Sequence, residues 1–418
     1  MKKLKFFTTF MLFLALLLVA ACSSDDEVDG EGGGNVAVAI DEASWEEDLE
    51  KMGATIKEKS GLGFDINVYP DTTTYQSTLR SSLATEEAPG LFKWWSGFRM
   101  EDLVEGGLLA DLTSTWETFE EQGVNPDLAS AFEFDGKIYG IPMTSNYWVV
   151  FYNKHVYEEY DLEIPTTWDE FLQNSETLKQ NGVAPLAQNT EKRWPGFIWF
   201  EEVLSKSDPE LYKKLMVGEA SYTDPGVVEA METWKDLYDR GYFSEPLNWE
   251  TNMATEFANG NVAMFVKGDW YQNFLTGAGM TPEDYGMFIL PTVNPDAQKS
   301  VIVEVAPLLV SENSKHKEDA LEAAKSIFEE DVIGPWTQSK DISPLVSGGE
   351  MPNEEMGKVV DSVENDGYEL INRYWEATPP DISEFAVDQF VRFMLNPDEY
   401  MDVLEEIEAH ASKYWESK

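Results

Sequence analysis

The chain has 418 residues, 78 of them Asp or Glu against 30 Lys or Arg, for a formal charge of −48. That length exceeds one simple core and predicts two domains or lobes, while 43% hydrophobic content excludes a disordered chain. Such a charge repels phosphate backbones and anionic lipid, so nucleic acid is excluded as a partner and any membrane attachment must be covalent or hydrophobic.

The run "MKKLKFFTTFMLFLALLLVAACSS" has a basic start (Lys2, Lys3, Lys5), an apolar stretch from Phe6 to Val19 and small residues before Cys22. It predicts a signal peptide over 1–21, too short and wrongly flanked for a spanning helix. Cys22 is the sole cysteine, so no intrachain disulfide forms. Val19-Ala20-Ala21-Cys22 resembles a bacterial lipobox, which implies cleavage before Cys22 and a diacylglycerol on its sulfur. Residues 22–35, polar and Gly-rich, read as a tether of roughly 20 Å r.m.s. reach.

Residues 35–40, "NVAVAI", read as a buried strand. Ser44 with Glu47 reads as a capping box opening a helix that Gly61 ends. Residues 64–70 alternate as a strand, 73–90 read as a helix stopped by Pro89-Gly90, and 91–95, "LFKWW", as a strand. The β-α-β-α-β order predicts a parallel sheet with helices on its faces and ligand outside the carboxyl ends of its strands. Asp41 to Trp45 lie at one such end; Trp94, Trp95 and Ser96 lie at another.

Residues 136–157 form an apolar, β-rich run that carries the chain into a second lobe. Thr167 with Glu170 predicts another capping box, with Gly182 closing that helix; Asp224-Pro225 opens a third, closed near Gly241. Residues 249–260 read as a helix, 262–266 as a strand, 300–310 as the return strand and 314–330 as a helix. The tail, 381–417, reads as two helices broken at Asn396-Pro397.

The chain lacks the phosphate-loop, dinucleotide, Gly-x-Ser-x-Gly and His-Glu-x-x-His motifs. Its histidines, His155, His316 and His410, are far apart, so no metal site is expected, and no cofactor. What remains is 14 Trp, 17 Tyr and 23 Phe, many beside polar residues at loop positions. An indole packs the apolar face of a sugar ring, and polar side chains bond its hydroxyls. Trp168 and Trp234, spaced into amphipathic helices, read as core; Trp270 and Trp95, at strand ends, read as cleft.

The stretches "LFKWWSGFRMEDLVEGGLLADLT" (91–113), "GKIYGIPMTSNYWVVFYNKHVYEEYDLEIPTTWDEFL" (136–172), "FANGNVAMFVKGDW" (257–270) and "APLLVSENSKHKEDALEAAKSIF" (306–328) resemble family-1 extracellular solute-binding proteins of ABC importers, the sugar-binding branch that includes maltose-binding proteins. The resemblance implies a two-lobed α/β periplasmic-binding-protein-like fold. Each lobe is a mostly parallel sheet flanked by helices, joined by hinge strands, with a ligand cleft between. It implies an N-terminal lobe of 36–146 plus 304–340 and a C-terminal lobe of 147–303 plus 341–418. The implied ligand is a sugar or oligosaccharide, delivered to the permease subunits of the importer. Trp270 is expected to stack on sugar, with Asp269 as hydroxyl acceptor. Trp95, Ser96 and Trp45 are expected at the mouth of the first lobe, Tyr147 and Trp148 after the first hinge, and Glu304 in the return strand. Arg193, Trp194 and Trp375 are expected from the second lobe. The protein is expected to be a monomer, anchored through Cys22 to the outer face of the cytoplasmic membrane of a Gram-positive host. The same fold binding a peptide, polyamine or other solute, or a surface-anchored glycoside hydrolase, remain the alternatives.

Overall fold

The computed structural model describes residues 34–190, 193–247, 252–340, 345–346 and 348–418. The expected signal peptide, Cys22 and nearly all of the tether lie outside the described residues.

The fold is a two-lobed α/β architecture built around a mixed sheet, with one core cluster on each side of it. Its strands are β1 (Asn35–Ile40), β2 (Gly63–Val68), β3 (Leu91–Lys93), β6 (Gly140–Asn153), β7 (Ala184–Gln188), β8 (Phe243–Pro246), β9 (Val262–Gly268), β10 (Tyr285–Phe288), β11 (Ser300–Val310) and β12 (Glu369–Asn372), with β4 (Glu133–Phe134) and β5 (Lys137–Ile138) as a small separate hairpin. The path runs β2-β1-β3-β11-β6-β9-β7-β8, with β10 on β6 and β12 on β11. Strands β1, β2 and β3 are parallel, as are β7, β8 and β9. The two parallel wings are joined by the long antiparallel pair β6 and β11.

Strand alternation explains how one strand serves two cores. Tyr147, Val149 and Phe151 of β6 enter a cluster with Val38, Ile40, Phe92 and Leu309. Trp148, Val150 and Tyr152 enter a second cluster with Leu186, Trp234, Phe390 and Leu404. Trp234 is fully buried there and Trp168 packs half-buried at its edge, as their helical spacing predicts.

Local signals hold where they are strong. Gly61, at φ 80°, caps the helix Glu46–Ser60. The Thr167–Glu170 capping box forms at Trp168–Gln180. Asp224 caps Pro225–Asp239, and the tail breaks into Pro380–Leu395 and Tyr400–Trp415.

Others need correction. Ser44 does not cap: it sits inside the tight turn Ala43–Trp45, and its hydroxyl donates to Glu42 at 2.9 Å. The helix read over 73–90 spans only Thr72–Ser82, opened by Asp71, whose carboxylate accepts from the Thr74 amide. The helix read over 314–330 is Lys317–Ala324, followed by a separate helix, Glu330–Lys340. The one read over 249–260 is described as Asn252–Ala258; residues 248–251 lie outside the described residues.

Candidate ligand-binding site

β1 and β3 end at the same edge of the sheet, so Asp41 and Lys93 leave their strands side by side. The Lys93 ammonium lies 2.9 Å from Asp41 Oδ1, and the Thr72 hydroxyl donates to Asp41 Oδ2 at 2.7 Å. The same ammonium stands 5.7 Å from the Trp45 ring and 5.1 Å from the Trp95 ring, within cation–π range. Beside these ends, β6 and β11 contribute side chains by register. Asn146 pairs with Glu304 and Thr144 with Ala306, so all four lie on one face. Together with Trp270 they border a cleft of about 960 Å³.

The far rim is tied down by Lys340, which reaches Asp48 at 2.7 Å and also donates to the Ser44 carbonyl. Burial pushes the Asp48 carboxyl up, but hydrogen bonds from Lys340, Ser339 and Lys51 outweigh it and hold it below the usual range.

Trp270 follows β9 through Gly268. The glycine is not needed for an unusual backbone angle, since its φ is −60°. It is needed for the indole: a Cβ at 268 would collide with Trp270 Nε1 and lie 2.7 Å from Cδ1. The half-buried ring is braced edge-on by Phe274 at 6.2 Å, and its Nε1 donates to Glu304 Oε2 at 3.3 Å. Asp269, expected as a hydroxyl acceptor, is fully buried instead. Its Oδ2 accepts the Tyr147 amide at 3.0 Å, so it pins β6 to the turn that carries Trp270. Burial holds its carboxyl well above the aspartate range; the Tyr147 amide opposes this and the Glu304 charge adds to it.

Behind Glu304 lies a buried ionic chain. Arg373 Nη1 is 2.8 Å from Glu304 Oε2, the oxygen that also accepts from Trp270. The rest of the guanidinium forks onto Glu376 at 2.6 and 2.8 Å. Burial raises the Glu304 carboxyl above its ordinary value although Arg373 opposes it. Burial alone would lower Arg373, but Glu304 and Glu376 outweigh it and fix it as a cation. On β9, burial and the Arg373 charge push the Lys267 amine down to about 7.

Of the residues read from the sequence, the cleft gathers Trp45, Trp95, Trp270 and Glu304. Trp45 is nevertheless largely buried, edge-on to Trp336 at 4.9 Å. Ser96 is buried off the cleft. Tyr147, one residue out of phase with Asn146, lines a separate cavity of about 280 Å³ with Val360, Glu364 and Leu370. Trp148 is fully buried under Arg373. Trp194 lies edge-on to Trp148 and carries the Lys267 ammonium 4.6 Å from its ring. Arg193 is exposed and paired with Asp388 and Glu384. Trp375 is covered by Arg99, 4.2 Å from its ring centroid. The sequence reading missed Lys93, Asn146 and Lys340. The first two were accessible in principle, from the end of β3 and from the period of two along β6; Lys340 gives no local signal. Among the described residues no cluster of three metal-ligating side chains occurs, and no helix is long and apolar enough to cross a membrane.

Residues 51–346 match the family model for bacterial extracellular solute-binding proteins. An ABC transporter extracellular-binding protein of Pyrococcus horikoshii is 29% identical over 57% of this chain and 55% of its own length. A second from that organism is 25% identical over 51% and 49%, so the chain spans about half the length of these curated relatives. The diacetylchitobiose binding protein DasA of Streptomyces coelicolor is 25% identical over 79% of each chain. Among solved structures, the bacterial solute receptor AcbH, described as preferring β-D-galactopyranose, superposes with a TM-score of 0.80 at 20% identity, covering 91% of this chain and 99% of that one. A chitin oligosaccharide binding protein superposes with a TM-score of 0.75 at 18% identity, over 90% and 98%. At these identities the structural likeness establishes the fold.

Proposed function

This chain belongs to the bacterial extracellular solute-binding protein family, and from that premise we propose that it is the extracytoplasmic receptor of an ABC importer, capturing a sugar or oligosaccharide for the permease. The observation that carries the reading is the cleft at the carboxyl ends of β1 and β3. Indoles at Trp95 and Trp270 offer ring faces, and Asn146, Glu304 and Lys93 offer hydroxyl partners beside them. Its volume of about 960 Å³ lies near the top of the range of small-molecule sites, roughly 300–1,000 Å³. That favours an oligosaccharide over a single ring. DasA, named for binding diacetylchitobiose, and AcbH support a saccharide as the ligand class.

Closure is by hinge bending of β6 and β11, with the lobes divided as 36–146 plus 304–340 and 147–303 plus 341–418. Trp270, Trp95 and Glu304 contact the ligand, and Asp269 positions Trp270. Lipid on Cys22 anchors a monomeric protein outside the cytoplasmic membrane of a Gram-positive cell. The protein is a receptor and not an enzyme: Asp41, Asp48 and Glu304 in the cleft are each held by a cation, which suits orientation of hydroxyls more than proton transfer. The raised carboxyl of Glu304 is a feature a hydrolase would share.

The test is a thermal-shift and calorimetric screen against chito-, xylo- and galacto-oligosaccharides, with product analysis. A ligand at a hundred times its Kd stabilises by about 2.7 kcal/mol. Absence of binding across the panel, or appearance of cleavage products, would overturn the reading.

A further inference from the structure

The charges that border the cleft are uneven. Among the described residues lining it, carboxylates outnumber ammonium groups five to three. Each of those ammonium groups is already paired: Lys93 with Asp41 at 2.9 Å, Lys340 with Asp48 at 2.7 Å and Lys51 with Glu47 at 2.9 Å. Two neighbouring cations are engaged elsewhere. Arg373 sits behind Glu304, held by that carboxylate and by Glu376, and Lys267 is enclosed against the Trp194 ring in a separate pocket. The acceptors are less engaged. Asn146 Oδ1 is buried without a hydrogen-bond partner among the described residues, in a residue only 6% exposed. Glu304 uses one oxygen, Oε2, for both Trp270 and Arg373.

We propose that Asp41 determines the charge class of the ligand: by holding Lys93 it keeps that ammonium from a ligand anion, so the receptor takes neutral saccharides and refuses those that carry a carboxylate or sulfate. The inference deepens the receptor reading and rests on it. Lys93 is the group an acidic sugar would need, since its ammonium lies 5.1 Å from the Trp95 ring and 5.7 Å from the Trp45 ring, beside any sugar stacked there. Swinging it onto a ligand carboxylate would strip Asp41 of its cation and leave it only the Thr72 hydroxyl. The Asp41 side chain is 3% exposed, and a buried charge left unpaired is strongly destabilising.

A hydroxyl needs no such exchange. An ammonium has three donors, so Lys93 can keep Asp41 and still donate to a hydroxyl oxygen. A hydroxyl also has a proton to give, which Asn146 Oδ1 and Glu304 can accept; an ionised carboxylate or sulfate has none. An anion entering the cleft therefore loses its water, meets an excess of carboxylate charge and sets acceptors against acceptors. The long-range part of that repulsion, from a chain of formal charge −48, fades within about 8 Å at physiological salt. The part due to Asp41 is short-range and persists in salt, which separates the two.

The test compares neutral saccharides with acidic counterparts of the same backbone, by calorimetry at about 0.15 M and about 1 M salt. The probes are galacto-oligosaccharides against oligogalacturonides, xylo-oligosaccharides with and without a glucuronic acid branch, and chito-oligosaccharides with and without sulfate esters. Wild type is expected to bind the acidic member at least about tenfold more weakly at both salt levels, a difference of about 1.4 kcal/mol. Asp41→Asn, which releases Lys93, should narrow that gap to about threefold or less, and adding Lys93→Met should restore it. Asp41→Ser releases the same ammonium and replaces Asp41→Asn if that variant fails to fold. An acidic saccharide bound by wild type as tightly as its neutral counterpart, or an unchanged gap once Lys93 is released, would overturn the inference and leave the receptor reading in place. Failure of every probe, neutral and acidic, is the separate outcome that sinks the receptor reading, and this inference falls with it.

Discussion

Replacing Gly268 by alanine probes the cleft wall without touching a ligand contact. Gly268 has φ −60° and ψ 145°, which any residue adopts, so the added methyl strains no backbone. It meets the Trp270 indole instead, 2.7 Å from Cδ1. Carbon atoms pack at about 3.5–4.0 Å, so the ring must retreat by roughly 1 Å. That breaks the Nε1 bond to Glu304, already 3.3 Å long. Overpacking costs about 1–3 kcal/mol in general; here the lower end applies, because a half-buried ring can swing toward solvent. A displaced indole no longer stacks, which should weaken ligand binding by about 2 kcal/mol, or about 30-fold in Kd. Trp270→Ala should match that affinity loss and cost about 2 kcal/mol of ligand-free stability, below the 3–5 kcal/mol of a fully buried aromatic. Calorimetric titration and thermal denaturation of both single variants and the double variant form a cycle. In the Trp270→Ala background the alanine at 268 should be silent to within about 0.5 kcal/mol. Additive affinity losses, or wild-type affinity in Gly268→Ala, would refute the reasoning.

Asp269 should register in the pH dependence of stability. Burial raises its carboxyl in the folded state, so the stability tied to its protonated form is present at low pH. That stability is lost as pH climbs from about 4 through the folded value. Asp269→Asn cannot ionise and should gain on wild type across that window in urea unfolding at stepped pH; a constant difference would count against the assignment. Arg373→Met leaves Glu304 and Glu376 without their cation and should destabilise by about 3–5 kcal/mol, read from the denaturant midpoint; a loss under about 1 kcal/mol would show the chain to be dispensable. Cys22→Ser should abolish fatty-acid labelling in a Gram-positive host, and an unlabelled wild type would end the anchoring proposal. Small-angle scattering should record a smaller radius of gyration with saturating saccharide, and an unchanged profile with proven binding would argue against hinge closure.

The sequence by itself determined β1, β2, β3, β6, β9 and β11, several helix ends and the parallel order of the first wing, because each depends on neighbours a few residues away; it did not mark β7, β8, β10 or β12. β1 and β11 form at the bounds read from alternation and apolar runs. The Thr167 and Asp224 caps form because a side-chain oxygen needs only an amide two or three residues on. Trp270 was legible as a cleft residue for the same reason: a strand, a glycine and a turn put it at a sheet edge. Asp269 beside it was not, because one residue along a turn separates a half-exposed indole from a fully buried carboxylate, and only the Tyr147 amide from β6 reveals which is which. Ser44 failed as a cap because a tight turn took its place, and Tyr147 left the cleft because side chains alternate along β6. What the tertiary structure alone decided is the electrostatics. Glu304 meets Arg373 across neighbouring strands, and Arg99 meets Trp375 from a helix of the other core, each over long stretches of chain. In a sequence with 78 acids and 30 bases nothing local selects one pairing over another. The choice is made by burial, since a charge removed from water is tolerated only where the fold brings it a partner.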